Sequence, residues 1–114
     1  MLIAALASVV IASCYDGHTC TTTTGERVRL ACIDTPELVG MRAEPVPAKA
    51  ARDYLRSLVV GKKVRIRRIT KDRYRRTVAE LFVGTTNVQQ EMIDTDHAEI
   101  YWRYAYQCPW TEGH

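Results

Sequence analysis

Apolar and polar positions alternate with period two in several stretches of this chain, separated by glycine, proline and Asp-Gly punctuation. In residues 27–33, Val28, Leu30 and Cys32 fall on one face and Arg27, Arg29 and Ala31 on the other. That pattern predicts a half-buried strand with Arg29 directed away from the core. Residues 63–69 alternate Val64 and Ile66 against basic neighbours, and Ile69 resumes the apolar face after an arginine pair. Residues 77–83 read as a further strand. Two more strands are predicted at 8–15 and 20–24 from their β-branched residues. A tight turn at Asp16-Gly17 joins them, since Asp-Gly is a strong hairpin signal.

The period changes to 3.6 after a loop at 34–47 that contains Pro36, Pro45 and Pro47. Ala51, Leu55, Leu58 and Val59 share one face and predict a helix over 48–59 that stops at Gly61. Asn87 caps a second, short helix over 88–94, and 98–104 reads as a final extended piece. The order β-β-β-α-β-β-α predicts a mainly β fold with helices (α+β), a five-stranded barrel of the OB type.

Composition adds a globular class and one domain at most: 114 residues, 46% hydrophobic and 25% charged. Charge is uneven. Residues 61–76 hold nine of the 16 Lys and Arg and a single acid, a window of +8 in a chain of +3. Such a stripe is the footprint of a polyanion partner, and equally the look of a solvated charged hairpin. Residues 1–7 are apolar and small. They read as the remnant of a secretory signal, too short for a membrane span, so no stable membrane insertion is expected and the chain is placed in a secreted, periplasmic or cell-surface setting. Cys14, Cys20, Cys32 and Cys108 permit up to two disulfides in three full connectivities, which spacing leaves open.

Chemistry collects where the third strand ends, in Asp34-Thr35-Pro36-Glu37. Pro36 biases Thr35 to an extended backbone, so the chain turns where two carboxylates and a hydroxyl gather five residues after Arg29. Two acids for a hard cation or a water, with an arginine for an anion, suit phosphodiester chemistry.

Three spaced motifs now align. Asp16-Gly17-x-Thr19, Arg29-Leu30 through Asp34-Thr35-Pro36-Glu37, and Asp72-Arg73-Tyr74-x-Arg76 occur in the order of the staphylococcal nuclease (thermonuclease) family. The chain resembles that family over residues 8–104. The resemblance implies a calcium-dependent nuclease that cuts DNA and RNA, preferably single-stranded, and leaves 3′-phosphates. It implies that Arg29 and Arg76 bind the scissile phosphate and stabilise its pentacoordinate state, and that Glu37 acts as general base. It further implies that Asp34 and the Thr35 carbonyl ligate calcium with Asp16 acting beside the metal, that Arg73 and Tyr74 hold a terminal phosphate, and that Trp102 and Tyr104 pack beside the base.

The sequence departs from the family in four places. His18 stands where the family has a second direct calcium carboxylate, which makes it a weak metal position for a hard cation. Arg75 and Asp96 occupy places usually held by glycine, where a positive φ is expected. The family's C-terminal helix is missing, so 105–114 reads as a truncated tail that leaves part of the barrel's apolar face without cover. These departures support an alternative, a catalytically inactive OB-fold protein that binds single-stranded nucleic acid.

Overall fold

A computed structural model describes residues 6–114. The expected signal remnant at 1–7 lies largely outside the described residues; Ala7 already belongs to the first strand. That strand, β1 (Ala7–Asp16), is followed by β2 (Thr19–Thr22), β3 (Arg27–Leu30), a two-residue β4 (Ile33–Asp34) and helix α1 (Pro45–Val59). Then come β5 (Lys63–Lys71), β6 (Thr77–Val83), a short β7 (Thr86–Asn87), α2 (Val88–Asp94) and β8 (Glu99–Ile100). The pairing order β3-β2-β1-β5-β6 closes through a parallel β3–β6 ladder, Val28 opposite Thr77 and Leu30 opposite Ala79. Closure makes this a five-stranded OB-type barrel with helices, as the sequence pattern predicts.

Bulges supply the curvature that closure requires. The β1–β2 register shifts between Ile11 and Ser13 and again between Cys14 and Asp16. The β5–β6 register shifts between Arg68 and Thr70, which explains why apolar positions jump from Ile66 to Ile69. Ile69 consequently packs with Ala31, Cys32 and Cys108 rather than in the main core. That main core joins Ile11, Val28, Leu30 and Leu81 of the barrel to Leu55 and Val59 of α1 and Met92 of α2. Within α2, Asn87 accepts a hydrogen bond from the Gln90 N–H at 3.0 Å, the expected cap.

Three elements differ from the sequence expectation. The third strand breaks after Leu30, because Cys32 adopts φ 68° and restarts the chain as β4. Helix α1 begins at Pro45, earlier than 48; Pro45 and Pro47 fall in its first turn, where a missing N–H costs nothing. The piece predicted extended over 98–104 is β strand only at Glu99–Ile100, pairing with β4. It then becomes two 3-10 turns, Trp102–Gln107 and Pro109–Gly113.

No α-helix follows α2 among the described residues, but the tail does not leave the barrel bare. Cys108 and Thr111 are buried, Trp110 packs against both core clusters, and Cys108 is bonded to Cys32. The second disulfide, Cys14–Cys20, crosses β1 and β2. Among the described residues no helix is long and apolar enough to cross a membrane.

Candidate nucleic-acid and phosphate site

The first component is the β1–β2 turn. Asp16 Oδ1 accepts the His18 N–H at 2.9 Å, an Asx turn that fixes both side chains. Gly17 is required by close approach: a Cβ there would lie 2.8 Å from the Ala51 Cβ of α1 and 3.0 Å from Thr35 Oγ1. The turn, the helix and the Asp34-Thr35 loop are thereby stacked on one another. The His18 carbonyl accepts the Leu30 N–H at 2.8 Å, tying the turn to β3.

Arg29 sits on β3 between Thr19 and Val78, on the face opposite buried Val28 and Leu30. It therefore points away from the core, and its Nη1 donates to the Leu30 carbonyl at 2.6 Å. Arg76 is delivered by the β5–β6 turn. Asp72 Oδ1 accepts the N–H groups of Tyr74 and Arg76, while Asp72 Oδ2 accepts Arg76 Nε at 2.8 Å. Burial works to raise the Asp72 carboxyl, but the Arg76 and Tyr74 donors outweigh it and hold it below its usual range. Arg75 takes φ 64°, so the positive φ expected at that position is met by a residue with a Cβ, and Asp96 takes φ 61° likewise.

These side chains feel one another. Burial and the Arg29 guanidinium push the His18 imidazole down from 6.5 to about 4, against the opposing pull of Asp16 and Asp34, with Arg76 adding to the fall. Burial and Arg76 lower Arg29, opposed by Asp34, Asp16 and Tyr101. Two arginines, two aspartates and a neutral imidazole thus occupy one half-buried region.

Two clefts flank it. A groove of about 600 Å³ is lined by Arg29, Lys71, Arg73, Tyr74, Arg76 and Tyr104, among others. Arg73 and Arg76 lie over the Tyr74 ring, 4.9 and 5.4 Å from its centroid. An adjoining acidic cleft of about 520 Å³ carries Asp34, Thr35 and Glu37, with Glu44, Asp96 and Glu99. Glu37 is exposed and makes no side-chain hydrogen bond or ion pair among the described residues. Asp16 and His18 line neither cleft, and Trp102, 63% exposed, lies outside the groove that Tyr104 lines. The sequence reading did not single out Tyr101, Arg103 and Tyr106, which complete the groove wall. Their signal was the density of aromatics in Tyr-Trp-Arg-Tyr-Ala-Tyr.

The basic stripe is less free than its composition suggests. Arg67 pairs with buried Glu80 at 2.8 Å and donates to the Gln107 carbonyl, and Arg68 forks onto Glu26 at 2.7 and 2.9 Å. Lys62, Lys63, Arg65, Lys71, Arg73 and Arg75 are exposed and make no ion pair among the described residues, so the start of β5 and the hairpin tip both remain for a polyanion, with Arg76 braced on Asp72 at 2.8 Å.

The donors available to a calcium ion are few. Asp16 Oδ1 accepts the His18 N–H and Asp34 Oδ1 the Thr35 N–H at 3.0 Å, which leaves each carboxylate its Oδ2, and His18 offers a neutral nitrogen. Among the described residues no group of three or more His, Cys, Asp and Glu is arranged to hold a metal. Calcium takes six to eight oxygens, several of them anionic. Asp16 and Asp34 supply anionic oxygens, but His18 adds none, so the set is a weak one for that ion.

A family model described as "Staphylococcal nuclease homologue" matches residues 27–111. A protein of Haemophilus influenzae named "Uncharacterized endonuclease" is 36% identical over 80 residues, covering 70% of this chain and 42% of its own length. "Probable endonuclease LCL3" of Komagataella phaffii is 32% identical over 80 residues, covering 65% and 35%. The protein of the same name from Leptosphaeria maculans is 39% identical over 80 residues, covering 65% and 26%. The chain therefore spans less than half the length of these curated relatives.

Proposed function

Because this chain belongs to the staphylococcal nuclease homologue family, we propose that it acts on nucleic acid as a phosphodiesterase, with single-stranded DNA or RNA in the basic, tyrosine-lined groove. The observation that carries this reading is the convergence of Arg29 and Arg76 at the head of that groove, beside the carboxylates of the adjoining cleft. Both planar guanidiniums suit a phosphate better than an ammonium would. Attack on phosphorus builds charge on the nonbridging oxygens, where two fixed cations stabilise the transition state more than the substrate. Glu37, unpaired and exposed, takes the proton of the attacking water. The P–O5′ bond breaks, the departing 5′-oxygen takes a proton from solvent to leave as a hydroxyl, and a 3′-phosphate remains. Arg73 and Tyr74 hold a neighbouring phosphate, and Tyr104 stacks on a base. The two disulfides support a secreted, periplasmic or cell-surface setting.

The second reading is a binder without hydrolysis, favoured by His18 in place of a carboxylate and by the poor fit to calcium. A single experiment separates the two. Cleavage of a labelled single strand is followed in calcium, in manganese and in chelator, with Glu37→Gln as control, and binding is followed by anisotropy. Cleavage lost in Glu37→Gln supports the first reading. Salt-sensitive binding with no cleavage in any condition supports the second. Neither binding nor cleavage would sink both.

A further inference from the structure

The groove has two walls of different origin. One is the barrel itself, with Arg29 on β3 and Lys71 to Arg76 on the β5–β6 turn. The other is the first 3-10 turn with its leading residue, contributing Tyr101, Arg103, Tyr104 and Tyr106. A 3-10 segment is a weak element on its own. This one is attached to the barrel by the two-residue β4–β8 ladder, by Tyr101 N–H donating to the Cys32 carbonyl at 2.8 Å, and by Arg67 donating to the Gln107 carbonyl at 2.9 Å. Beyond the main chain itself, its covalent cross-link to the barrel is the Cys32–Cys108 disulfide, which closes on the residue directly after the turn. Cys32 lies between Arg29 and Asp34, on the very segment that carries the phosphate-facing side chains.

We infer that the Cys32–Cys108 disulfide is a positioning element of the binding groove: it fastens the tyrosine wall to the segment bearing Arg29 and Asp34, so a chain lacking that bond keeps the barrel but loses a fixed wall. The inference rests on the nucleic-acid reading above and adds to it a dependence of binding on oxidation. The position of the bond argues for this role over a general staple. Cys32 and Cys108 pack with Ala31, Ile69 and Val78 in a cluster that shares only Trp110 with the main core, so the link joins the tail to the barrel at its margin rather than at the barrel's own centre. The Cys32 sulfur also lies 3.5 Å from the Tyr104 carbonyl, the backbone of a wall residue. Both cysteines are buried, so in the folded protein a dithiol reaches the bond only when the tail opens. When it does, the S–S bond breaks, two electrons and two protons pass to the two sulfurs, and the dithiol leaves as its own disulfide.

The test compares the oxidised protein with a Cys32→Ser/Cys108→Ser variant. Affinity for a fluorescein-labelled thymidine oligonucleotide of about twelve residues is read by anisotropy, a length within the range of single OB-fold sites. The expected result is a loss of about tenfold in affinity, the scale of losing one stacked base. A cooperative thermal transition retained in the variant shows that the barrel stands. Adding a dithiol to the variant, which leaves only Cys14–Cys20 to reduce, is expected to change affinity little. Equal affinity in the two proteins would overturn the inference. So would a variant whose affinity drops as far on adding dithiol as the parent's does, since Cys14–Cys20 would then be the cause. Hydrogen exchange provides a readout without nucleic acid: the amides of Tyr104, Thr111 and the residue at position 108 are expected to lose protection in the variant while Leu30 and Ala31 keep theirs. If the parent binds no oligonucleotide, the proposed function fails, and exchange alone decides the inference. Unchanged protection of those three amides then overturns it.

Discussion

Lowering the pH should cost this domain stability through His18 in a defined window. The native imidazole is pushed down to about 4, first by burial and then by Arg29, with Asp16 and Asp34 opposing and Arg76 reinforcing. In the unfolded chain it returns to 6.5. Between those values the unfolded state binds a proton that the native state refuses, so stability rises with pH and is lost as pH falls from about 6.5 toward about 4. The side chain is 17% exposed, so solvent screening removes little of this. At 1.36 kcal/mol per unit the full loss is about 3 kcal/mol. That is a large fraction of the ~5–15 kcal/mol that holds a typical domain together. The assay is urea unfolding at pH 7.5, 6.5, 5.5 and 4.5 in chelator, parent against His18→Gln. The two proteins differ only at this side chain, so the difference between their losses isolates His18. The expected outcome is convergence, with the parent losing about 3 kcal/mol more than the variant over the window. Parallel losses in the two proteins, or an NMR titration placing the His18 ring near 6.5, would refute the reasoning.

Three further outcomes are expected. Gly17→Ala forces a Cβ to 2.8 Å from Ala51 and should cost about 1–3 kcal/mol in urea unfolding, while weakening oligonucleotide binding because the Asp16–His18 turn must shift. Glu26 is held down to about 2, chiefly by Arg68 with Thr77 assisting, so its contribution is present above about 4.5 and fades as pH falls through about 2. Glu26→Gln should flatten the acid limb in that lower window and cost about 1 kcal/mol at neutral pH, a modest figure because the Arg68 partner is 45% exposed. Arg75→Gly removes a Cβ from φ 64° and should raise stability by up to about 1 kcal/mol, net of glycine's extra unfolded-state entropy; a lower urea midpoint than the parent's would count against strain at that turn.

Much of the fold was legible because its signals are local. The Asp16-Gly17 turn, the alternation of Val28 and Leu30, the apolar face of Ala51, Leu55 and Val59, and the Asn87 cap are set by neighbouring residues. The structure keeps each of them. The positive φ at Arg75 and Asp96 was also anticipated, but only because the resembled family usually has glycine at both places. The phase slip from Ile66 to Ile69 was visible too, but its cause, a bulge against β6, was not.

What the sequence by itself determined, then, was the order of elements and the chemistry on the chain: two arginines, the Asp-Thr-Pro-Glu turn and an imidazole where an acid was expected. Tertiary structure alone decided which of those groups share a field and which lie in separate clefts. It paired Arg67 with Glu80 and Arg68 with Glu26, so that these two members of the basic stripe serve the barrel while Lys62, Lys63, Arg65 and the hairpin tip stay exposed. It also chose one disulfide connectivity of three and folded the tail into a groove wall. The physical reason is range. Alternation, capping and turn propensity act over a few residues, whereas ion pairing, burial and disulfide closure join residues such as 32 and 108, which meet only after the barrel has closed.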